Sequence, residues 1–212
     1  APAEFTGATG SGFFVSAEGH VVTNAHVVTG CSAIRFGDGA PALLKVFEPS
    51  SDLALLKARG AGKVTPLAMR AGRGIRLSDD TVVAGYPLSD ILTSTLNVTT
   101  GTVSALSGPG DDRRIFQTTA PVQAGNSGGP VLDSSGNLVG VIVSKLDAVH
   151  VIEATGDLPQ NVNFAISRGL LQSFLDANAV DYEMAASDTP LSTADIAERA
   201  RKATVQVICE AE

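Results

Sequence analysis

Three short segments of this 212-residue sequence carry side chains suited to nucleophilic catalysis. In Gly125-Asn126-Ser127-Gly128-Gly129-Pro130, glycines crowd a single serine. Glycine adopts φ values that other residues resist, so successive amide N–H groups can point at one spot beside the hydroxyl and receive a developing oxyanion. Val21-Val22-Thr23-Asn24-Ala25-His26-Val27-Val28 puts an imidazole at the end of a strongly apolar strand, and Ser51-Asp52-Leu53-Ala54-Leu55-Leu56 puts a carboxylate at the head of another. A hydroxyl nucleophile, a general base and an anion that orients the base are the parts of acyl transfer through a covalent intermediate. Taken singly, each has a plainer explanation: a Gly-rich turn, a hydrogen-bonded core histidine, an aspartate at a turn. Taken together, three such coincidences would have to fall in the order His, Asp, Ser.

That order is the one used by chymotrypsin-like barrels, whereas subtilisins run Asp, His, Ser and α/β-hydrolases Ser, Asp, His. Thr9-Gly10-Ser11-Gly12-Phe13, Thr23 to Val28, Ser51 to Leu55, Thr100-Gly101-Thr102-Val103-Ser104, Gly125 to Pro130 and Asn163-Phe164-Ala165-Ile166 extend the likeness. These segments resemble the protease domain of the HtrA/Deg group of trypsin-like serine peptidases, over roughly Phe5 to Ala177. The resemblance implies an all-β fold of two six-stranded antiparallel barrels, with His26 and Asp52 from the first and Ser127 from the second meeting in the cleft between them. His26 would take the Ser127 proton and return it to the leaving amine while Asp52 fixes the imidazole. The amides of Gly125 and Ser127 would hold the oxyanion. This chemistry needs no metal and no organic cofactor. By position, the primary specificity pocket begins at Pro121 and continues through Val122, Gln123 and Ala124. None of these is the acidic residue that trypsins use for Arg or Lys, so a shallow apolar pocket favouring Val, Ala, Ile or Leu is expected.

The elements that must position these residues are short. From Thr9 to Ala177, runs of β-branched and apolar residues are cut by Gly, Pro, Asn and Asp, the pattern of many antiparallel strands. Ala17-Glu18-Gly19 and Ser134-Ser135-Gly136-Asn137 read as hairpin turns. Helices are expected over Arg168 to Ala177, capped by Ser167, and over Thr193 to Ala203, with a last strand from Thr204 to Cys209. The peptidase domain is thus assigned to 1–177, with barrels at about 1–70 and 78–177, and residues 178–212 to a tail of linker, helix and strand packing on it.

Composition bounds the remaining possibilities. Hydrophobic residues make up 44% and charged residues 17%, a profile of compact rather than disordered chains. A net charge of -7 and the absence of a Lys/Arg stripe argue against nucleic acid as a partner. Nothing approaches the ~18 to 20 apolar residues of a membrane span. The start, Ala1-Pro2-Ala3-Glu4, lacks an initiator Met and a signal-peptide pattern, so processing is expected. His20 and His150 read as solvated bystanders, and the histidine spacing does not suit zinc. Cys31 and Cys209 are either one long-range disulfide or two buried thiols; a periplasmic or secreted setting, expected for this group, favours the disulfide.

Two features depart from the relatives. Asn126 stands where digestive trypsin-like enzymes have an Asp that pairs with a newly cut N-terminus, so control through surface loops is expected instead, with Ser144 to Gln160 as the candidate. The residues after Ala177 are too few for the PDZ modules that typical HtrA proteins carry. Protein or peptide substrates are the partners this reading implies. The competing reading is a chaperone-like or adaptor module that binds apolar segments with little turnover, which such a scaffold also permits.

Overall fold

The computed structural model describes residues 7–60, 62–87, 95–143 and 162–211, so the Ser144 to Gln160 stretch and His150 lie outside the described residues. The first sheet is built from β1 (Gly7–Phe14), β2 (His20–Thr23), β3 (Ala33–Phe36), β4 (Ala42–Glu48) and β5 (Leu53–Ala58), together with β14 (Thr204–Glu210) from the far end of the chain. Its order is β3-β14-β1-β2-β5-β4, and a bridge between Arg35 and Pro41 closes it into a barrel. The second sheet contains β6 (Met69–Arg70), β7 (Asp80–Gly85), β8 (Asn97–Ala105), β9 (Ile115–Thr118), β10 (Pro130–Leu132), β11 (Leu138–Val143), β12 (Asn163–Ser167) and β13 (Met184–Ala185). Its order is β10-β7-β8-β9-β12-β11-β6-β13, and pairing of β10 with β11 turns it back on itself. The expected double-barrel architecture is the one observed.

The strand expected in the tail is present and lies inside the first sheet. Residues 7–58 supply five strands, which leaves β1 and β3 with unpaired edges; β14 fills the gap, antiparallel to β1 from Gly7↔Glu210 to Phe13↔Thr204 and to β3 from Ala33↔Glu210 to Phe36↔Val207. Val207 and Cys209 point inward and are buried. β6 falls in the stretch expected for the first barrel but pairs with the second sheet, parallel to β11 and β13. It is held there by Arg70, a buried side chain whose Nη1 reaches Asp79 at 3.4 Å and Asp133 at 3.6 Å. The two α-helices among the described residues, α1 (Arg168–Ala177) and α2 (Thr193–Ala203), start on the hydroxyls of Ser167 and Ser192, which accept from the amides of Leu170 and Asp195.

Period-two alternation explains how the barrels meet. Phe14, Val21, Ala54 and Leu56 face the interior of the first barrel with Ile34, Phe36 and Val207. The intervening residues Phe13, Val22, Leu53 and Leu55 face the other way and pack with Val82, Leu132, Val141, Leu171 and Ile196. β1, β2 and β5 are therefore buried on both faces, which is why they read as nearly continuous apolar runs. At roughly 1.5–3 kcal/mol for each large side chain fully buried, this shared layer fixes one barrel against the other.

Cys31 and Cys209 form a disulfide with Cα atoms 5.2 Å apart across a sequence separation of 178. It ties β14 to the segment after the His26 turn. Closing so long a loop stabilises the fold by up to about 5 kcal/mol in the chain-entropy treatment. Replacing both cysteines by serine is expected to lower the unfolding free energy in urea by about 3–5 kcal/mol; a loss below about 1 kcal/mol would show that strand pairing alone holds the segment.

Candidate active site

His26 lies in a 3-10 turn, Ala25–Val28, directly after β2. Ala25, Val27 and Val28 are drawn into the core, which leaves the imidazole as the partly exposed member of the turn. Pairing of Thr23 with Ala54 brings the turn beside Asp52, the residue before β5. Asp52 has φ +51°, a left-handed conformation that aspartate tolerates better than most residues. The conformation is held from both sides: Asp52 N–H donates to the Pro49 carbonyl at 3.2 Å, and its carbonyl accepts from Ala25 N–H at 3.1 Å and from the Asn24 side-chain amide at 2.9 Å. Its carboxylate then meets the imidazole squarely. Nδ1 lies 2.8 Å from Oδ2 and 3.0 Å from Oδ1, while the His26 backbone amide donates to Oδ1 at 3.0 Å. A carboxylate accepts, so Nδ1 carries the proton and the lone pair is left on Nε2.

Ser127 sits in a run, Gly125 to Pro130, that is buried throughout. Asn126 N–H donates to the Gln123 carbonyl at 3.0 Å and closes a four-residue turn, and Gly125 at its third position has φ +96°. Positive φ there without positive φ at Ala124 defines a type II turn, which favours glycine. Gly128, at φ +84°, is pressed against the first barrel: a Cβ there would lie 2.2 Å from the Ser11 carbonyl and 2.4 Å from the Thr23 hydroxyl. Ser11 N–H donates to the Ser127 carbonyl at 2.8 Å. The structure thus brings the serine loop against the strand end that leads into His26, and His26 against Asp52.

The four positions expected to line the specificity pocket lead into this loop. Pro121, Gln123 and Ala124 are exposed, and Val122 is half-buried against the core of the second barrel. The Pro121 carbonyl is tied to the Thr99 hydroxyl at 2.8 Å, and the Ala120 carbonyl to the Asn163 side chain at 2.8 Å. Sequence reasoning passed over Ser11, Thr23 and Asn24 as chemistry. All three are fully buried polar residues inside motifs that were otherwise noticed. It also passed over Arg70, Arg73 and Arg76, three residues apart, which converge on Asp79. Partial burial works against ionisation of Asp79, but the Arg73 hydrogen bond, the Arg76 amide and the charges of Arg73 and Arg70 outweigh it and hold its carboxyl below the usual range.

Two β-barrels, with a bonded His–Asp pair on one and a glycine-lined serine loop packed against the strand end that leads into that pair, match the class of trypsin-like peptidases. The family model described as trypsin-like peptidase domain matches residues 10–141, and the chain belongs to that family. Several of its relatives are HtrA-type proteases. The Probable periplasmic serine endoprotease DegP-like of Rhizobium meliloti is 39% identical over 143 residues, 63% of this chain and 27% of that protein. The solved HtrA-type protease AlgW with decapeptide superposes with a TM-score of 0.62 at 32% identity, covering 79% of this chain and 50% of that one. Uncharacterized protein y4bJ of Sinorhizobium fredii is 44% identical over 206 residues, 95% of this chain and 32% of that protein. The chain spans about a third of the length of the curated relatives it matches, 32% of y4bJ and 36% of the Xenopus tropicalis Serine protease HTRA1.

His20, expected to be a solvated bystander, is mostly enclosed: its side chain is 16% exposed and Nδ1 lies 2.8 Å from the Ser16 hydroxyl. Burial, then the Lys57 charge and more weakly Lys45, push its pKa below 6.5 against the opposing pull of Glu18. A histidine whose folded pKa is depressed binds fewer protons folded than unfolded between the two values. Its stabilising contribution is present above about 6.5 and is lost as pH falls from there toward the folded value. His20→Gln is therefore expected to narrow the difference in urea midpoint between about pH 5 and about pH 7. An unchanged difference would remove His20 from the acid sensitivity of the fold.

Proposed function

We propose that this chain is the catalytic domain of a serine endopeptidase that cleaves exposed or unfolded protein segments after small aliphatic residues. The observation that carries the reading is the two-oxygen contact of the Asp52 carboxylate with Nδ1 of His26. It leaves Nε2 as an acceptor on the side away from the carboxylate, which is the form a general base needs. Ser127 Oγ attacks the scissile carbonyl carbon as its proton passes to Nε2. The bond to the leaving amine then breaks, with His26 returning the proton to the nitrogen, and an acyl-enzyme remains. Water, deprotonated by His26, attacks the ester and releases the new carboxyl terminus with Ser127 regenerated.

Charge on the carbonyl oxygen is met by the amides of Gly125 and Ser127. The type II form of the Gln123–Asn126 turn supports this assignment, because it sets the plane of the Ala124–Gly125 peptide about a half-turn away from the type I form. Losing one such donor costs about 3–4 kcal/mol in comparable sites. The pocket assigned to Pro121, Val122, Gln123 and Ala124 offers no anion to a basic side chain, and stripping water from an unpaired cation there would cost several kcal/mol. A periplasmic or secreted location is favoured by the Cys31–Cys209 disulfide and by the likeness to the periplasmic DegP-like endoprotease of Rhizobium meliloti.

A fluorogenic peptide panel and casein test the reading. Wild-type protein is expected to cleave after Val, Ala, Ile or Leu far better than after Arg, and Ser127→Ala is expected to lower kcat at least about a thousandfold with the fold intact. Turnover by Ser127→Ala near the wild-type rate would overturn the serine mechanism, and preferred cleavage after Arg would overturn the pocket.

A further inference from the structure

Ser11 is fully buried in β1, and each of its polar atoms is bonded to another segment that shapes the site. Its amide donates to the Ser127 carbonyl at 2.8 Å, and its carbonyl accepts from the Thr23 hydroxyl at 2.7 Å. Its own hydroxyl lies 2.7 Å from the Gly125 carbonyl and 2.9 Å from the Tyr86 amide. The Tyr86 N–H can only donate, so the hydroxyl proton belongs to Gly125. One residue therefore grips the serine loop at two carbonyls, Gly125 and Ser127, and is itself tied to the strand that delivers His26. The flanking glycine lets β1 come this close, since a Cβ on Gly10 would lie 2.6 Å from a Val27 methyl and 3.2 Å from the Ser127 carbonyl.

We propose that Ser11 is a positioning residue for the reaction: its hydroxyl anchors the Gly125 carbonyl and so holds the turn that presents the Gly125 amide to the oxyanion. The inference rests on the peptidase reading above. Without the hydroxyl the Gly125 carbonyl loses its donor and the Tyr86 amide its acceptor. The Gly125–Asn126 peptide then loses its fixed point, and the Gly125 amide on the other side of the same residue is free to shift with it. No hydrogen bond joins Ser11 to Pro121, Val122, Gln123 or Ala124, so substrate side-chain binding is left as it was.

The test compares Ser11→Ala with wild type in kcat, in KM, and in affinity for two probes: a peptide valine boronate and the matching unreactive peptide amide. The boronate takes the tetrahedral form and draws on the oxyanion donors, whereas the amide reports ground-state binding. Both kcat and boronate affinity are expected to fall by a common factor of about ten to a hundred, with KM and amide affinity within about twofold of wild type. Equal losses in all four, or none, would overturn the proposal. Ser11→Cys keeps the shape with a weaker donor and is expected to fall between the two; it serves as the readout if Ser11→Ala does not fold. Failure of both variants to fold would assign Ser11 to the core instead. Inactive wild-type protein would overturn the peptidase reading along with this one, whereas an active wild type with unaltered Ser11→Ala overturns this one alone.

Discussion

Backbone lies on backbone where the two barrels touch, and the candidate site depends on that contact. Gly128 has no room for a side chain between itself and the Ser11 carbonyl, the Thr23 hydroxyl and the Asn24 amide. The serine loop belongs to the second barrel through Gly128 N–H to Ile142 and Ile142 N–H to Gly129, at 3.0 and 2.9 Å. The same loop is tied to the first barrel through Ser11. Interiors are packed too densely to absorb an inserted methyl group without displacement, so the separation of Ser127 from His26 is set by contact rather than by flexible side chains.

The His26–Asp52 pair is organised on the same economy of backbone. Asn24 precedes the His26 turn in the position of a helix cap, yet its amide reaches the Asp52 carbonyl instead of capping. The result is an aspartate in a left-handed conformation whose two carboxylate oxygens meet the imidazole and the backbone amide of His26. Asp52 also lines a cleft of about 240 Å³ with Asp112, Arg114 and Ile115, so its carboxylate sits at the seam between the barrels rather than in either core.

Much of this was legible in the sequence because the chemistry-bearing residues come with their own local punctuation. Ser127 is framed by glycines, and His26 and Asp52 stand at the ends of apolar runs that must be strands. The helices from Arg168 and Thr193 were legible from their caps and apolar faces. The contributions of Ser11 and Asn24 were not, because their bonds span 114 and 28 residues and leave no periodic trace. Membership of β14 in the first barrel was illegible for the same reason: alternation marks a strand but not its neighbours. His20 looked solvated because it follows a turn glycine, and only the fold shows Ser16 and Lys57 enclosing it.

In the proposed mechanism barrel-to-barrel contact, and not possession of the three side chains alone, makes Ser127 reactive. Gly128→Ala leaves His26, Asp52 and Ser127 in the chain and drives a methyl group into the contact. The direct measurement is the rate at which a fluorophosphonate adds to Ser127, followed by intact mass, in protein that retains native near-ultraviolet dichroism. Labelling is expected to be at least about a hundredfold slower than in wild type; labelling of folded Gly128→Ala at the wild-type rate would contradict the role of the contact.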